Sequence, residues 1–140
     1  MGAISREALI ELAEAKVADA RMLFAGARYS NAYYLFGYGL ELGLKACIAN
    51  QFQASAIPDK NFVNRIYTHR LEELAGLAGL KPELDERKRA DPAFDAHWAV
   101  VSGWSEEARY EMINPDRCAA MSAAFADLEH GIWTWLKDRW

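Results

Sequence analysis

Few residues in this chain combine reactive chemistry with an unlikely setting. Glu41 and Lys45 stand in the middle of the most apolar stretch, one helical turn apart and in the order that favours an ion pair. Burying an ionised group costs several kcal/mol unless it is paired, about 20 in the idealised limit. These two either lock to each other, or to a partner on another helix, or line a pocket. Arg109 and Tyr110 follow Trp104 and precede Asn114 and Pro115. An arginine among aromatic residues at a helix junction clamps a phosphate or stacks on a base, and it serves equally well as a core partner for Glu41. His69 follows Thr68 at the start of a short helical pattern, where it either attracts an anion in the first turn or helps to cap the helix.

Other chemistries find little support. His69, His97 and His130 are scattered, and no two His or Cys residues share ligand spacing on one helix, so no metal site is expected. No glycine-rich phosphate loop lies between a strand and a helix, and no Ser or Cys occupies a nucleophile elbow. Cys47 and Cys118 each fall in an apolar helical pattern and read as buried reduced thiols. No cofactor is implied.

Composition limits the class. With 140 residues, 52% hydrophobic and 26% charged, the chain suits one globular domain spanning 1–140. A net charge of -4 argues against a sequence-independent nucleic-acid binder with a broadly basic surface, while leaving room for a local basic pocket. The segment Met1 to Ala8 soon carries Arg6 and Glu7 and does not read as a signal peptide. The apolar stretch 32–49 is shorter than the roughly 20 residues of a membrane span and contains two charges. A cytoplasmic protein without a membrane partner is the expectation.

The elements that must position these residues are all helical. Ser5 caps a first helix whose stripe is Leu9, Leu12, Ala13, Lys16, Ala20, Leu23 and Phe24, with Gly26 as its stop. A second helix runs from Ser30 or Asn31 to about Asn50 and is apolar nearly all round, as a helix buried on several sides would be. Gly37, Gly39 and Gly43 lie inside it, which predicts close approach of another helix. A long loop over 53–67 follows. Thr68 then caps a short helix that Gly79 ends, and Pro82 opens a charged helical stretch. Asp91 and Pro92 start a helix through Phe94, Trp98 and Val101, and Ser105 starts a further turn carrying Arg109. Asn114 and Pro115 start a last helix with the seam Cys118, Met121, Phe125, Leu128, Ile132 and Trp135. That seam packs on the first two helices or shares in a dimer interface.

Several of these pieces together resemble the HEPN helical domains. The first hairpin of that family is matched by Ala20, Leu23, Gly26, Tyr29, Ala32 and Tyr33, followed by Gly39, Glu41, Leu44, Lys45 and Ala46. Thr68, His69, Leu71 and Leu74 resemble the short helix after it, and the segment from Trp104 to Arg109 and Tyr110 resembles the late arginine-containing segment. The resemblance implies an all-α, up-and-down bundle of four to five helices with a long loop after helix 2. It implies a homodimer that associates with nucleotides or RNA in prokaryotic stress, defence or toxin-antitoxin systems, or a module that partners a nucleotidyltransferase supplied by another chain. Trp133, Trp135 and Trp140 would then offer an exposed partner surface. Many members cut RNA without metal through an arginine and a histidine four to six residues apart, supported by a polar residue at the position of Glu41. This chain departs from that pattern. Arg65 and His69 have three residues between them, Arg89 and His97 have seven, and no histidine follows Arg109 within reach. The resemblance therefore implies a non-catalytic binding domain before a divergent RNase. Its pocket would be built from Glu41, Lys45, His69, Trp104, Arg109 and Tyr110, with Glu41 orienting Arg109.

Overall fold

The computed structural model describes residues 3–140, so Met1 and Gly2 of the N-terminal segment lie outside the described residues. Those residues form eight α-helices and one 3₁₀ turn, with no strand among them. The helices are α1 (Arg6–Ala25), α2 (Tyr29–Ala49), α3 (Lys60–Ile66), α4 (Leu71–Leu77), α5 (Lys81–Ala90), α6 (Pro92–Ser102), α7 (Pro115–Ala126) and α8 (Ile132–Lys137). The 3₁₀ turn is Glu106–Tyr110. The all-α class is as expected, whereas the helices number eight rather than four to five. None is long and apolar enough to cross a membrane.

The hairpin of α1 and α2 is the frame. Ser5 Oγ accepts the Ala8 amide and starts α1. At its end Ala27, not Gly26, takes the left-handed conformation at φ 60°, and the Arg28 amide reaches back to the Leu23 carbonyl. The face of α1 turned inward is Leu9, Ala13, Val17 and Ala20. Leu12 of the expected stripe is outside it and exposed, because small residues at 13 and 20 let the helices close only along that narrower line. Gly39 lies on this contact: a Cβ there would meet the Val17 side chain at 2.6 Å and the Ala13 carbonyl at 3.2 Å. Gly43 faces a different neighbour, Leu136 of α8 and the Trp140 ring, and Gly37 faces the Trp104 indole. The three glycines thus serve three separate approaches.

Around this hairpin the core is continuous. Tyr33, Phe36, Leu40, Leu44 and Ile48 of α2 are sealed, and the Phe36 ring stacks on Phe125 of α7 with centroids 4.9 Å apart. Burying each large side chain contributes about 1.5–3 kcal/mol. Cys47 and Cys118 are buried free thiols, and burial pushes both up to about 11.

Two expected elements differ. The long loop over 53–67 contains α3, started by Asp59, whose carboxylate accepts the Phe62 amide. The last helix is not one seam but two helices. Asp127 breaks it by accepting the Glu129 and His130 amides on Oδ1, so Leu128 swings out to the surface. The corner passes so close to itself that a Cβ on Gly131 would overlap the Asp127 carbonyl. It is then pinned to α6: His130 Nδ1 bonds Asp91 at 2.8 Å, His97 Nε2 bonds Asp127 at 3.1 Å, and Arg87 spans Asp91 and the Glu129 carbonyl. The break turns Trp133 and Trp135 into the core, with Trp140 packed on Trp133. The closing tryptophans are therefore not the exposed partner surface expected of them.

Candidate functional site

Glu41 is the single buried charged residue among those described, 3% exposed. Both of its oxygens are engaged. Oε2 accepts from Lys45 Nζ at 3.3 Å, one turn along α2, and Oε1 lies 2.9 Å from His69 Nδ1. An ionised carboxylate only accepts, so Nδ1 carries the proton and the other ring nitrogen, Nε2, is the one left free. The two partners differ in setting: the Lys45 side chain is 17% exposed, that of His69 47%. The carboxylate therefore lies at the base of a polar column that ends at the surface in an imidazole.

His69 does not stand in the first turn of its helix. α4 begins at Leu71 with the extended Arg70 as its N-cap residue, and His69 precedes both outside the helix. Thr68 still organises the entry, since its hydroxyl accepts the Arg70 amide and donates to Glu73. The imidazole is held by Glu41 instead of by a helix end.

The remaining candidates sit along the same side of α2. Tyr34, Tyr38, Glu41 and Lys45 follow each other at steps of four, three and four, which places them on one helical face. The Tyr34 and Tyr38 rings meet edge to face at 5.9 Å, and Lys16 of α1 lies 5.6 Å over Tyr38. Burial, followed by the charge of Glu41, raises the Tyr38 phenol above its ordinary value. At the far end of the row Arg109 lies 5.0 Å over the Tyr110 ring, and the hydroxyls of Tyr110 and then Tyr34 raise its already high pKa. Arg109 is exposed and pairs with no carboxylate among the described residues.

Two expected roles fail on this geometry. Glu41 does not orient Arg109, because its oxygens are taken by Lys45 and His69 and the arginine is framed by tyrosines. Trp104 is 3% exposed and lies against Gly37 and, at 6.0 Å, Tyr34, so its face is not open for a base to stack on. Its Nε1 is buried without a hydrogen-bond partner. Tyr110, 79% exposed, is the aromatic ring that remains available.

At its His69 end the row borders a cleft of about 350 Å³ lined by Thr68, His69, Arg70, Ser105, Glu106 and Glu107. Of these six only His69 was a candidate site residue in the sequence, Thr68 and Ser105 being read as starts of helical turns. The signal for Tyr34 and Tyr38 was there in the spacing from Glu41, but the all-round apolar character of α2 hides which face they share. Nothing local marks Ser105–Glu107 as neighbours of Thr68–Arg70. A larger hollow, about 450 Å³, opens beside the Gln51–Asp59 loop over Phe52 and Phe62. Its one ionisable group, Asp59, is spent on capping α3. A further hollow, about 420 Å³, is lined by Asp85, Lys88, Arg89 and Asp95, away from the row on α2. No group of three or more metal-ligating side chains gathers among the described residues.

What the arrangement can do follows from its parts. The exposed guanidinium and the open ring of Tyr110 can take a phosphate and a planar base. The imidazole, braced from below, presents one nitrogen to the cleft. Compared with protein-family models, with curated proteins and with solved structures, the chain matches none.

Proposed function

We propose that this chain is a HEPN-like domain that binds a nucleotide or an RNA end along the outer face of α2, as a non-catalytic module. The observation that carries the reading is the continuous row from Arg109 through Tyr34 and Tyr38 to Glu41, Lys45 and His69. Arg109 holds a phosphate, as an exposed guanidinium with no acid partner is suited to do. Tyr110 stacks on the base. Glu41 fixes His69 rather than Arg109.

The non-catalytic part rests on the same row. Metal-free cleavage of RNA needs one group to activate the ribose hydroxyl and another to protonate the leaving oxygen. Arg109 is framed by two tyrosines and touches no histidine, so the arginine–histidine pairing of the active relatives has no counterpart here. A role in a prokaryotic stress, defence or toxin-antitoxin system, and a homodimeric state, follow from the resemblance.

The test is a thermal-shift titration of the protein and its Arg109→Ala variant with ribonucleoside monophosphates and short RNAs. Ligand at a hundred times its dissociation constant adds about 2.7 kcal/mol of stability. Arg109 is exposed, so the variant keeps its fold and loses the shift. A folded wild-type protein that shifts with none of these ligands refutes the reading. Cleavage of the RNA that depends on His69 or Arg109 refutes its non-catalytic part and supports a divergent RNase.

A further inference from the structure

The segment that links α2 to α4 leaves its apolar side chains uncovered. From Gln51 to Tyr67 it carries Phe52, Ile57, Phe62, Val63, Ile66 and Tyr67, and none of these six is buried. No residue of α3 is buried at all. Phe62 and Ile66 rest on the core by one side only, and Ile57 is 98% exposed. The Phe52 and Phe62 rings meet edge to face at 5.8 Å and, with Pro58, wall the hollow of about 450 Å³. Apolar residues exposed singly are ordinary, whereas a run of them around one hollow marks an interaction surface.

The charge of this segment is opposite to that of the chain. The chain carries a net charge of -4, yet the only acid over 50–70 is Asp59, against Lys60, Arg65 and Arg70. The Asp59 carboxylate is turned to the Phe62 amide. Lys60 and Arg65 stand on either side of Phe62 along α3, both exposed, and pair with no carboxylate among the described residues. Free cations beside an apolar hollow call for an occupant that is acidic around an apolar anchor. A concave site takes a protruding side chain, and a flat bilayer surface leaves it unfilled. A nucleobase needs hydrogen-bonding partners, and the hollow has few: Gln51 is committed to the Leu77 carbonyl and Asp59 to its cap, which leaves Gln53.

We infer that the face formed by residues 51–67 is a docking surface for an acidic amphipathic helix of a partner protein. That helix seats an apolar side chain in the hollow beside Phe52 and Phe62 and sets its carboxylates against Lys60 and Arg65. The surface shares no lining residue with the cleft at His69 and is independent of the nucleotide-binding reading.

The experiment is a selection by the full chain from a displayed library of randomised helical peptides. The peptides it enriches are then titrated by fluorescence anisotropy against the original protein, Phe52→Ser and the double variant Lys60→Glu with Arg65→Glu. All three positions are exposed, so these variants keep the fold, which circular dichroism checks. The enriched peptides should be acidic with a large apolar anchor, and added salt should weaken them. Both variants should bind them at least about tenfold more weakly. Selection by the double variant should return basic peptides instead, a reversal that a merely structural role of Lys60 and Arg65 does not produce. No enrichment overturns the inference, as do peptides that lack acids or bind the variants as tightly as the original. Anionic phospholipid vesicles or oligouridylate that bind in place of any peptide, and are lost in the same variants, overturn it in favour of a lipid or RNA surface.

Discussion

Replacing Glu41 by glutamine separates the charge of that side chain from its shape. The change keeps the volume at this buried position and removes the anion from beneath Lys45 and His69. Taking one partner from a fully buried ion pair costs about 3–5 kcal/mol, since the other charge is left unpaired in the interior. Here the orphan is Lys45, whose side chain is 17% exposed, and His69 is 47% exposed and can turn to water. The amide oxygen of glutamine also still accepts one bond. These features lower the loss to about 2 kcal/mol, or about 5–10 °C in melting temperature for a domain of this size. The assay is urea denaturation followed by far-ultraviolet circular dichroism, with Glu41→Gln, Lys45→Met and the double variant side by side. Removing the orphaned ammonium should recover part of the loss, so the double variant should be more stable than the sum of the single effects by more than about 0.5 kcal/mol. A Glu41→Gln protein within about 0.5 kcal/mol of the original would show that the carboxylate does not hold this column together.

Four further outcomes follow from the geometry. Gly37→Ala drives a methyl group into the Trp104 indole, and should cost about 1–3 kcal/mol in a thermal melt. Gly131→Ala meets the Asp127 carbonyl and, at 2.9 Å, that of Ala124, which are backbone and cannot turn aside, so a loss of about 2 kcal/mol or more is expected by the same measurement. Ala27→Gly should stabilise by up to about 1 kcal/mol in urea titration, because φ is 60° there and the turn lies outside the core. The α7–α8 corner predicts the pH response: Asp91 and Asp127 are held below the ordinary 3.8, so their contribution is present above it and lost as pH falls through the lowered values. His130 is raised above 6.5 by its bond to Asp91, so its contribution is full below 6.5 and lost as pH rises through the raised value. A melting temperature that falls from pH 6 to pH 8 in the original protein and stays flat in His130→Gln would bear this out, and the same slope in both would refute it.

The sequence announces some helix starts and few of their partners: Ser30, read as a start of the second helix, lies inside α2 and accepts the Ile113 amide, and Arg70, not Thr68, is the N-cap of α4. Ser5, Asp91 and Asn114 each cap the helix they precede, because a side-chain oxygen placed before a helical run has few other uses. Gly26 does stop α1, as its place in the sequence suggested, although the left-handed residue is Ala27. The end of α7 was harder to read, because the seam through Leu128 continues past a break made by Asp127. Local spacing there is compatible with a continuing helix, and long-range contacts decide otherwise, namely the bonds from Asp91 and His97 to the corner. The same limit applies to the site. The pairing of Glu41 with Lys45 lies within one turn and was visible, whereas the bond from Glu41 to His69 spans 28 positions and was one option among several.

Trp104 shows how the core and the site constrain each other. Its position beside Arg109 suggested a stacking ring, but the indole fills the space left by Gly37 and supports Tyr34 from behind. Tyr34 in turn borders Arg109 and Tyr38. A buried tryptophan thus sets the position of the 3₁₀ turn against α2, and with it the separation between Arg109 and the His69 cleft. A glycine at 37 is needed for that approach, although glycine costs a helix interior about 1 kcal/mol relative to alanine. A larger residue at 37 with a smaller one at 104 would fill the same volume and remove both the helix penalty and the unpaired Nε1. The arrangement present gives up that stability and seats the 3₁₀ turn that carries Arg109 against α2, the placement on which the proposed nucleotide site depends.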